Sequence, residues 1–287
     1  MEDLLQPILN GVLLGGLYAI IAIGLSTIMG IVKIMNFAHG DLMILSSYLC
    51  LVFVTWLGLS PYWSFFVVVP LMYCIGYFYQ WFLLNRVLGK ATDPPLIVAF
   101  GVSIMIQNIL LLFFTPDART LMTNLGMKTI SLTPHLKIPV NYLSDFLIGL
   151  VVIFFLYCFF QKSYLGRAIR AAADDEIAAK LMGVNTRRIY AHAMGISILT
   201  AAIAGVLVGM TFTFYPYTGS TYLFIAFGVA IIAGLGSMKG TFVAGIILAV
   251  AQLFGGHFLG PGYQVVSGHI ILLIILLLKP KGIFGTV

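Results

Sequence analysis

Charge is scarce in this chain. Of its 287 residues only 8% are Asp, Glu, Lys or Arg, while 61% are hydrophobic, against roughly 25% charged in soluble domains. A soluble globule cannot hide that much apolar surface, so composition excludes the soluble classes and points to an all-α polytopic membrane protein. Cysteine is almost absent too. Cys50, Cys74 and Cys158 lie far apart inside apolar runs, in no metal-ligand spacing and no disulfide framework, and read as small hydrophobes. Also missing are a Gly-x-x-x-x-Gly-Lys-Ser/Thr phosphate loop, a Cys-x-x-Cys, a His-x-x-x-His and a serine nucleophile elbow. Gly234-Leu-Gly-Ser-Met-Lys-Gly-Thr241 resembles a phosphate loop at a glance, but its lysine precedes the glycine and its flanks are apolar. No catalytic residue, metal site or bound cofactor is expected of this chain.

What is present is a succession of apolar runs. A span needs about 20 mostly apolar residues. On that basis segments fall near Leu4–Val32, Leu42–Leu57, Tyr62–Leu84, Leu96–Phe114, Phe146–Phe160, Ile189–Phe214, Tyr222–Leu235, Phe242–Phe254 and Val265–Leu278. Tyr222–Leu235 and Phe242–Phe254 are short and separated only by Gly236-Ser-Met-Lys-Gly240, the pattern of broken or re-entrant helices. The expectation is one membrane domain over residues 1–287, a helical bundle of about eight (eight to nine) segments, some short or broken.

The net charge of +6 reads as Lys and Arg retained on the cytoplasmic face rather than as a nucleic-acid surface. Arg86 and Lys90, the stretch 162–188 and Lys279-Pro-Lys281 are therefore placed in the cytoplasm. The hydrophilic connector 115–144 falls outside, although it carries Arg119, Lys128 and Lys137. Counting back through three segments sets the N-terminus outside and Lys33 inside. The acidic start, Met1-Glu-Asp, lacks the basic opening of a signal peptide, so no cleavage is expected.

Two polar sites interrupt the apolar pattern. Asn36-Phe-Ala-His-Gly-Asp41 contains poor helix-interior residues and would permit an unwound turn, with Asp41 placed to cap a helix at Leu42. Two readings stay open: a cytoplasmic-side turn with His39 satisfied locally, or a pathway element exposing His39 or Asp41 to solute. Gln107 and Asn108 sit inside an apolar run, where amides are costly unless partnered, and read as helix-to-helix glue or as pathway lining. Gln252, His192 and His269 read as structural singletons. Gly11-x-x-x-Gly15, Gly205-x-x-x-Gly209 and Gly236-x-x-x-Gly240 allow close approach between helices.

The stretch 162–188 concentrates charge: Lys162, Arg167, Arg170, Lys180, Arg187 and Arg188 are six of the fifteen basic residues, and Asp174, Asp175 and Glu176 three of the nine acidic ones. From Arg167 to Met182 the residues favour one helix, with Gly183 as its stop. Ile169, Ala173, Ile177 and Leu181 recur every four positions as an apolar stripe, and Glu176 can pair with Lys180. Such an element either lies on its own bundle or seats in a groove on a cytoplasmic motor.

Together these motifs resemble one family. The opening Asn10-Gly-Val-Leu-Leu-Gly-Gly-Leu-Tyr-Ala-Ile-Ile-Ala-Ile-Gly-Leu-Ser26, followed by Asn36-Phe-Ala-His-Gly-Asp41, is similar to the first of the two paired permeases of branched-chain amino acid ABC transporters. So are Arg-Ala-x-x-x-Asp within the charged stretch, Ala178-Ala179 with Gly183, Ala233-Gly-Leu-Gly-Ser-Met-Lys-Gly-Thr241 and Lys279-Pro-Lys-Gly-Ile-Phe-Gly285. The resemblance implies an importer subunit of the bacterial inner membrane, carrying branched-chain amino acids or, in related systems, urea, short amides or other amino acids. The alternative is a self-sufficient secondary transporter. The resemblance further implies a second permease, two cytoplasmic ATP-binding subunits that consume the ATP, an extracytoplasmic substrate-binding protein and surrounding lipid as partners, with no nucleic acid. It makes Arg167, Arg170, Asp174, Asp175, Glu176, Ile177, Ala178, Ala179 and Gly183 the ATPase-coupling loop, with Asn36, His39, Asp41, Gln107 and Asn108 as pathway candidates. One departure stands out: the importer pattern Glu-Ala-Ala-x-x-x-Gly has Ile177 in place of its glutamate, so Glu176, Asp175 or Asp174 would have to supply the acidic contact.

Overall fold

A computed structural model describes residues 2–88, 93–123, 126, 128–131, 133 and 136–285. Met1 and Lys90, two residues of the sequence reading, lie outside the described residues. Among the described residues, eight helices are long and apolar enough to cross a membrane: α1 (Glu2–Ile31), α2 (His39–Leu57), α3 (Pro61–Val87), α4 (Asp93–Phe114), α5 (Val140–Lys162), α8 (Thr186–Thr211), α10 (Met238–Leu259) and α11 (Pro261–Leu278, its first turn 3₁₀). Between them come two short helices, α6 (Tyr164–Asp174) and α7 (Glu176–Leu181), and the 15-residue apolar helix α9 (Gly219–Ala233). The connector after α4 holds a two-stranded antiparallel hairpin, β1 (Thr129–Ser131) with β2 (Lys137–Pro139).

Burial ranks the helices. The most apolar stretch of α1 is 94% buried and that of α8 is 89% buried, whereas α4 and α5 reach only 22% and α11 6%. A helix apolar all round belongs in a core or in lipid; here α1 and α8 take the core and the others present a face outward. Small residues let the core close. A Cβ at Gly11 would meet Val250, and one at Gly15 would meet Ile246, so this glycine pair seats α1 against the backbone of α10, as small-residue pairs do in membranes.

The helix boundaries follow local chemistry. Ser163, Asp175, Asn185 and Ser237 each accept a hydrogen bond from a first-turn backbone N–H, starting α6, α7, α8 and α10. Pro61 opens α3, where its missing N–H costs nothing. Within α3 a π-turn over Tyr79–Leu84 widens the helix.

Two expectations are corrected. Phe242–Phe254 is not a short segment: Ser237 caps a full 22-residue helix there. The discontinuity lies instead before α9, where residues 212–218 are non-helical, and Gly236 merely turns the chain between α9 and α10 (φ 83°). The stretch 162–188 and the connector 115–144 also shrink at their ends, since Lys162 belongs to α5, Thr186 onward to α8 and Val140 onward to α5.

Candidate functional site: a polar junction at mid-depth and a two-helix charged element

Two residues past the end of α1, Lys33 takes a left-handed backbone (φ 57°), and the chain runs non-helically from there to Ala38. It travels back along α1. The His39 ring nitrogen Nε2 lies 2.9 Å from the carbonyl oxygen of Ile21, ten residues and about 15 Å before the end of α1. α2 therefore starts inside the membrane layer rather than at its edge. Asn36 holds the unwound stretch: its Oδ1 accepts from the Ala38 backbone N–H (3.1 Å) and from Tyr79 OH (3.2 Å), while Nδ2 faces Met194 Sδ at 3.6 Å. Tyr79 stands where the π-turn begins. Asn36 and His39 are fully buried, while Met35 beside Asn36 is 47% exposed, so the polar side chains of the unwound stretch are covered by protein, as hydrocarbon demands.

Asp41 does not cap a helix at Leu42. α2 begins at His39 with no side-chain cap, and the Asp41 carboxylate turns across to α4. Its Oδ2 accepts from Ser103 Oγ (2.5 Å) and its Oδ1 from Gln107 Nε2 (3.0 Å). A Cβ on Gly219 would strike Asp41, and one on Gly40 would strike the Gly219 carbonyl oxygen. The junction thus locks α2, α4 and the start of α9 together. Asp41 is 2% exposed; neither it nor His39 faces solute here. Gln107 is glue between helices, whereas Asn108 is exposed and donates only to its own helix, at Ile104 O (2.8 Å).

The charged stretch 162–188 is helical but not one helix. Asp175 adopts extended backbone (φ −145°, ψ 106°), and its Oδ1 accepts from Ile177 N (2.9 Å) and Ala178 N (3.0 Å). An aspartate that caps a second helix has to break the first. The apolar stripe is split by the same bend. Ile169 is buried on α6, while Ile177 and Leu181 on α7 and Met182 at its C-cap stand 72%, 83% and 83% exposed. Lys180 Nζ pairs with Glu176 Oε1 at 2.6 Å; the hydrogen bond from Lys180 leads in holding the Glu176 carboxyl below the usual carboxylate range. Gly183 closes α7 at φ 81°, with Val184 N bonded to Ala179 O (3.0 Å) in a Schellman-type stop. Arg167, Arg170 and Asp174 border a cavity of about 850 Å³ beside Gly30, Ser237 and Phe284.

A family model described as branched-chain amino acid transport system / permease component matches residues 7–278. The chain belongs to that family. It is 32% identical over 297 residues to the high-affinity branched-chain amino acid transport system permease protein BraD of Pseudomonas aeruginosa, covering 98% of this chain and 95% of that one. It is 30% identical to LivH of Escherichia coli over 295 residues, with the same coverage of 98% and 95%. Against LivM of Escherichia coli it is 25% identical, over 93% of this chain and 67% of that one. Among solved structures, PsaBC from Streptococcus pneumoniae in complex with Fab aligns with a TM-score of 0.47 at 16% identity, over 98% of this chain and 91% of that chain.

For this permease family member, the structure joins Asp41 with Gln107 and Asn36 with His39, but leaves Asn108 apart. It also adds residues that the sequence reading missed. Ser103 and Gly219 complete the junction, and Tyr79 ties Asn36 to α3. Elsewhere in the bundle, Tyr18 OH donates to Gln252 Oε1 (2.6 Å) and Thr211 Oγ1 to Asp145 Oδ2 (2.8 Å). Asp145 had a signal, being an acidic residue at the head of an apolar run. Ser103 had none.

Proposed function

We propose that this chain is the membrane-spanning permease subunit of an ATP-binding cassette importer for branched-chain amino acids. The observation that carries the reading is membership of the permease family over residues 7–278. LivH-named and LivM-named proteins both align with it, which supports a paired arrangement with a second permease. Two ATP-binding subunits would sit on the cytoplasmic side and consume the ATP, and an extracytoplasmic binding protein would deliver substrate. The N-terminus would then lie outside the cell and the C-terminus in the cytoplasm.

α7 is the coupling surface in this scheme. A motor groove takes apolar anchors from a short helix, and Ile177, Leu181 and Met182 are exposed there with no cover from the bundle. The pattern glutamate that the family resemblance expects is absent, and Glu176 is engaged by Lys180, so apolar contact replaces acidic contact at Ile177. Because α6 buries Ile169 and Ala172 in the core, a push on α7 passes into the bundle through α6 and into α8 through Asn185.

Co-expression of this chain with the second permease, the ATPases and the binding protein tests the reading. Reconstituted vesicles take up labelled leucine, isoleucine or valine only with ATP. Uptake by this chain alone, driven by an ion gradient and indifferent to ATP, would overturn it in favour of a secondary transporter.

A further inference from the structure

Away from the junction, the C-terminal ends of α2 and α4 enclose a second polar corner. A cavity of about 460 Å³ lies between them, within the size range of small-ligand sites. Leu51, Val52 and Trp56 of α2 and Phe113 of α4 wall it with apolar surface, and Arg119 closes it from the connector. The main chain of Arg119 is tied to the segment before α9: its N–H donates to Phe214 O (3.0 Å), and Phe214 N–H donates to its carbonyl (2.9 Å). The side chain is thus held at the cavity without taking part in the bonds that hold it.

The guanidinium is short of acceptors. It carries five N–H donors. Among the described residues it makes one hydrogen bond, Nη2 to Phe114 O at 3.3 Å, and one long ion pair, to Asp117 Oδ2 at 3.8 Å. Its Nε is buried without a partner, and so is the hydroxyl of Tyr48. Tyr48 is 1% exposed and packs on Phe114 and Phe214, with ring centroids 4.6 and 5.0 Å away. Those are the two residues that Arg119 bonds, so both unmatched donors belong to one corner. Buried donors are normally paired; what this corner lacks is an acceptor. Asp117 does not supply it, because Thr115 Oγ1 already donates to its Oδ2 (2.7 Å). Thr115 does so from a left-handed backbone (φ 60°), strained for a β-branched residue and of the kind that gathers at ligand sites. Trp56 alone would be an interfacial anchor, but anchoring leaves the donors unexplained.

We propose that this cavity binds the carboxylate of a hydrophobic amino acid at the outer edge of the permease, with Arg119 as its partner. The proposal rests on the branched-chain importer reading above, whose topology puts this edge outside the cell, and it deepens that reading. Arginine suits the task because its fork gives a carboxylate two parallel hydrogen bonds. Asp117 then takes the ammonium, and the wall from Leu51 to Trp56 takes the aliphatic side chain. Arg119 and Asp117 stand 3.8 Å apart, which suits a zwitterion whose two charged groups share one carbon. A free phosphate offers nothing to Asp117, and a phosphatidylethanolamine head group spaces its charges by an ethylene bridge.

Equilibrium binding of labelled leucine to the assembled transporter without its binding protein, in phosphatidylcholine nanodiscs, tests this. Leucinol, which lacks the carboxylate, is expected to bind at least tenfold more weakly than leucine. Arg119→Gln should weaken leucine at least tenfold and leave leucinol unchanged, and Arg119→Lys, which keeps the charge and loses the fork, should fall between. Asp117→Asn should weaken leucine and spare 4-methylpentanoate, which has no ammonium. If Arg119→Gln lowers the thermal midpoint, the leucine-to-leucinol preference of the wild type and the Asp117→Asn result still decide. Equal binding of leucine and leucinol, or of leucine by wild type and a folded Arg119→Gln, overturns the proposal. Displacement of leucine by phosphatidylethanolamine added to the discs also overturns it and makes a lipid head group the occupant. Arg119-dependent binding without ATP-driven leucine uptake would sink the functional reading and leave the site standing; uptake without Arg119-dependent binding would sink the site alone.

Discussion

The carboxylate of Asp41 and the backbone of Gly219 touch, so closely that any side chain at 219 would occupy the space of the carboxylate. Two helices that begin inside the membrane layer are thereby fastened head to head, and α4 is tied in through Ser103 and Gln107. Gly219→Ala is expected to push Asp41 off its partners at a cost of about 1–3 kcal/mol, the range for overpacking a tight interior. Thermal unfolding of the purified complex measures it. An unchanged midpoint with unchanged uptake would show that the contact relaxes freely.

Asp41 itself separates charge from hydrogen bonding. Asp41→Ala leaves the Ser103 hydroxyl and the Gln107 amide without an acceptor, each worth about 1–3 kcal/mol when buried. Asp41→Asn keeps one acceptor oxygen and should recover part of that loss. The expected order of stability is wild type, then Asn, then Ala. A double-mutant cycle with Ser103→Ala should give a coupling of about 0.5–3 kcal/mol, and additive effects would mean that the 2.5 Å bond contributes nothing.

How far the sequence discloses this arrangement depends on the range of the contact. The eight spanning helices follow from apolar run length, and the helicity of 162–188 from its helix formers and Gly183. The break at Asp175 was also written locally, because an aspartate preceding Ile177 and Ala178 competes for their N–H groups, but an unbroken run of helix formers outweighed it. His39 to Ile21 and Asp41 to Gly219 were not legible at all. They join residues 18 and 178 positions apart, through a reversal of the chain that leaves no periodic mark, and Gly219-Ser-Thr reads as an ordinary loop.

If α7 is the coupling surface, polar substitution there should spare the fold and break the function. Ile177 and Leu181 are 72% and 83% exposed, so Ile177→Asp and Leu181→Asp should change stability by no more than about 0.5 kcal/mol. ATP-dependent uptake should nevertheless fall by tenfold or more, with ATPase subunits lost from pull-downs of this chain. Full uptake with both substitutions would place the coupling surface elsewhere.

The Glu176–Lys180 pair gives a pH prediction of small size. The folded Glu176 carboxyl titrates below its ordinary 4.5 because Lys180 donates to it. A depressed carboxylate contributes stability that is present above the unfolded value and lost as pH falls through the folded one. The pair is about half exposed, so its worth is at most about 0.5 kcal/mol. Glu176→Gln should therefore lower the amide-exchange protection of α7 by about twofold at pH 7 and leave it unchanged at acid pH, below the folded value. An effect that grows on acidification would reverse the assignment.

Asp175 offers the sharpest test of the two-helix element, because the competing one-helix arrangement predicts the opposite result. In one unbroken helix an aspartate in mid-run is a weaker helix former than alanine, so Asp175→Ala would stabilise it. In the observed structure Asp175 accepts from Ile177 N and Ala178 N and starts α7, and replacing a capping aspartate by alanine costs about 1 kcal/mol. With only six residues in α7, that loss is expected to fray the helix and withdraw Ile177 and Leu181 from presentation. Uptake and amide protection over 176–181 should fall together with Asp175→Ala. They should return with Asp175→Asn, which caps equally well without the charge. Rescue by asparagine assigns the effect to the cap; a deficit that persists in Asp175→Asn would instead make the negative charge of Asp175 the contact that the motor reads.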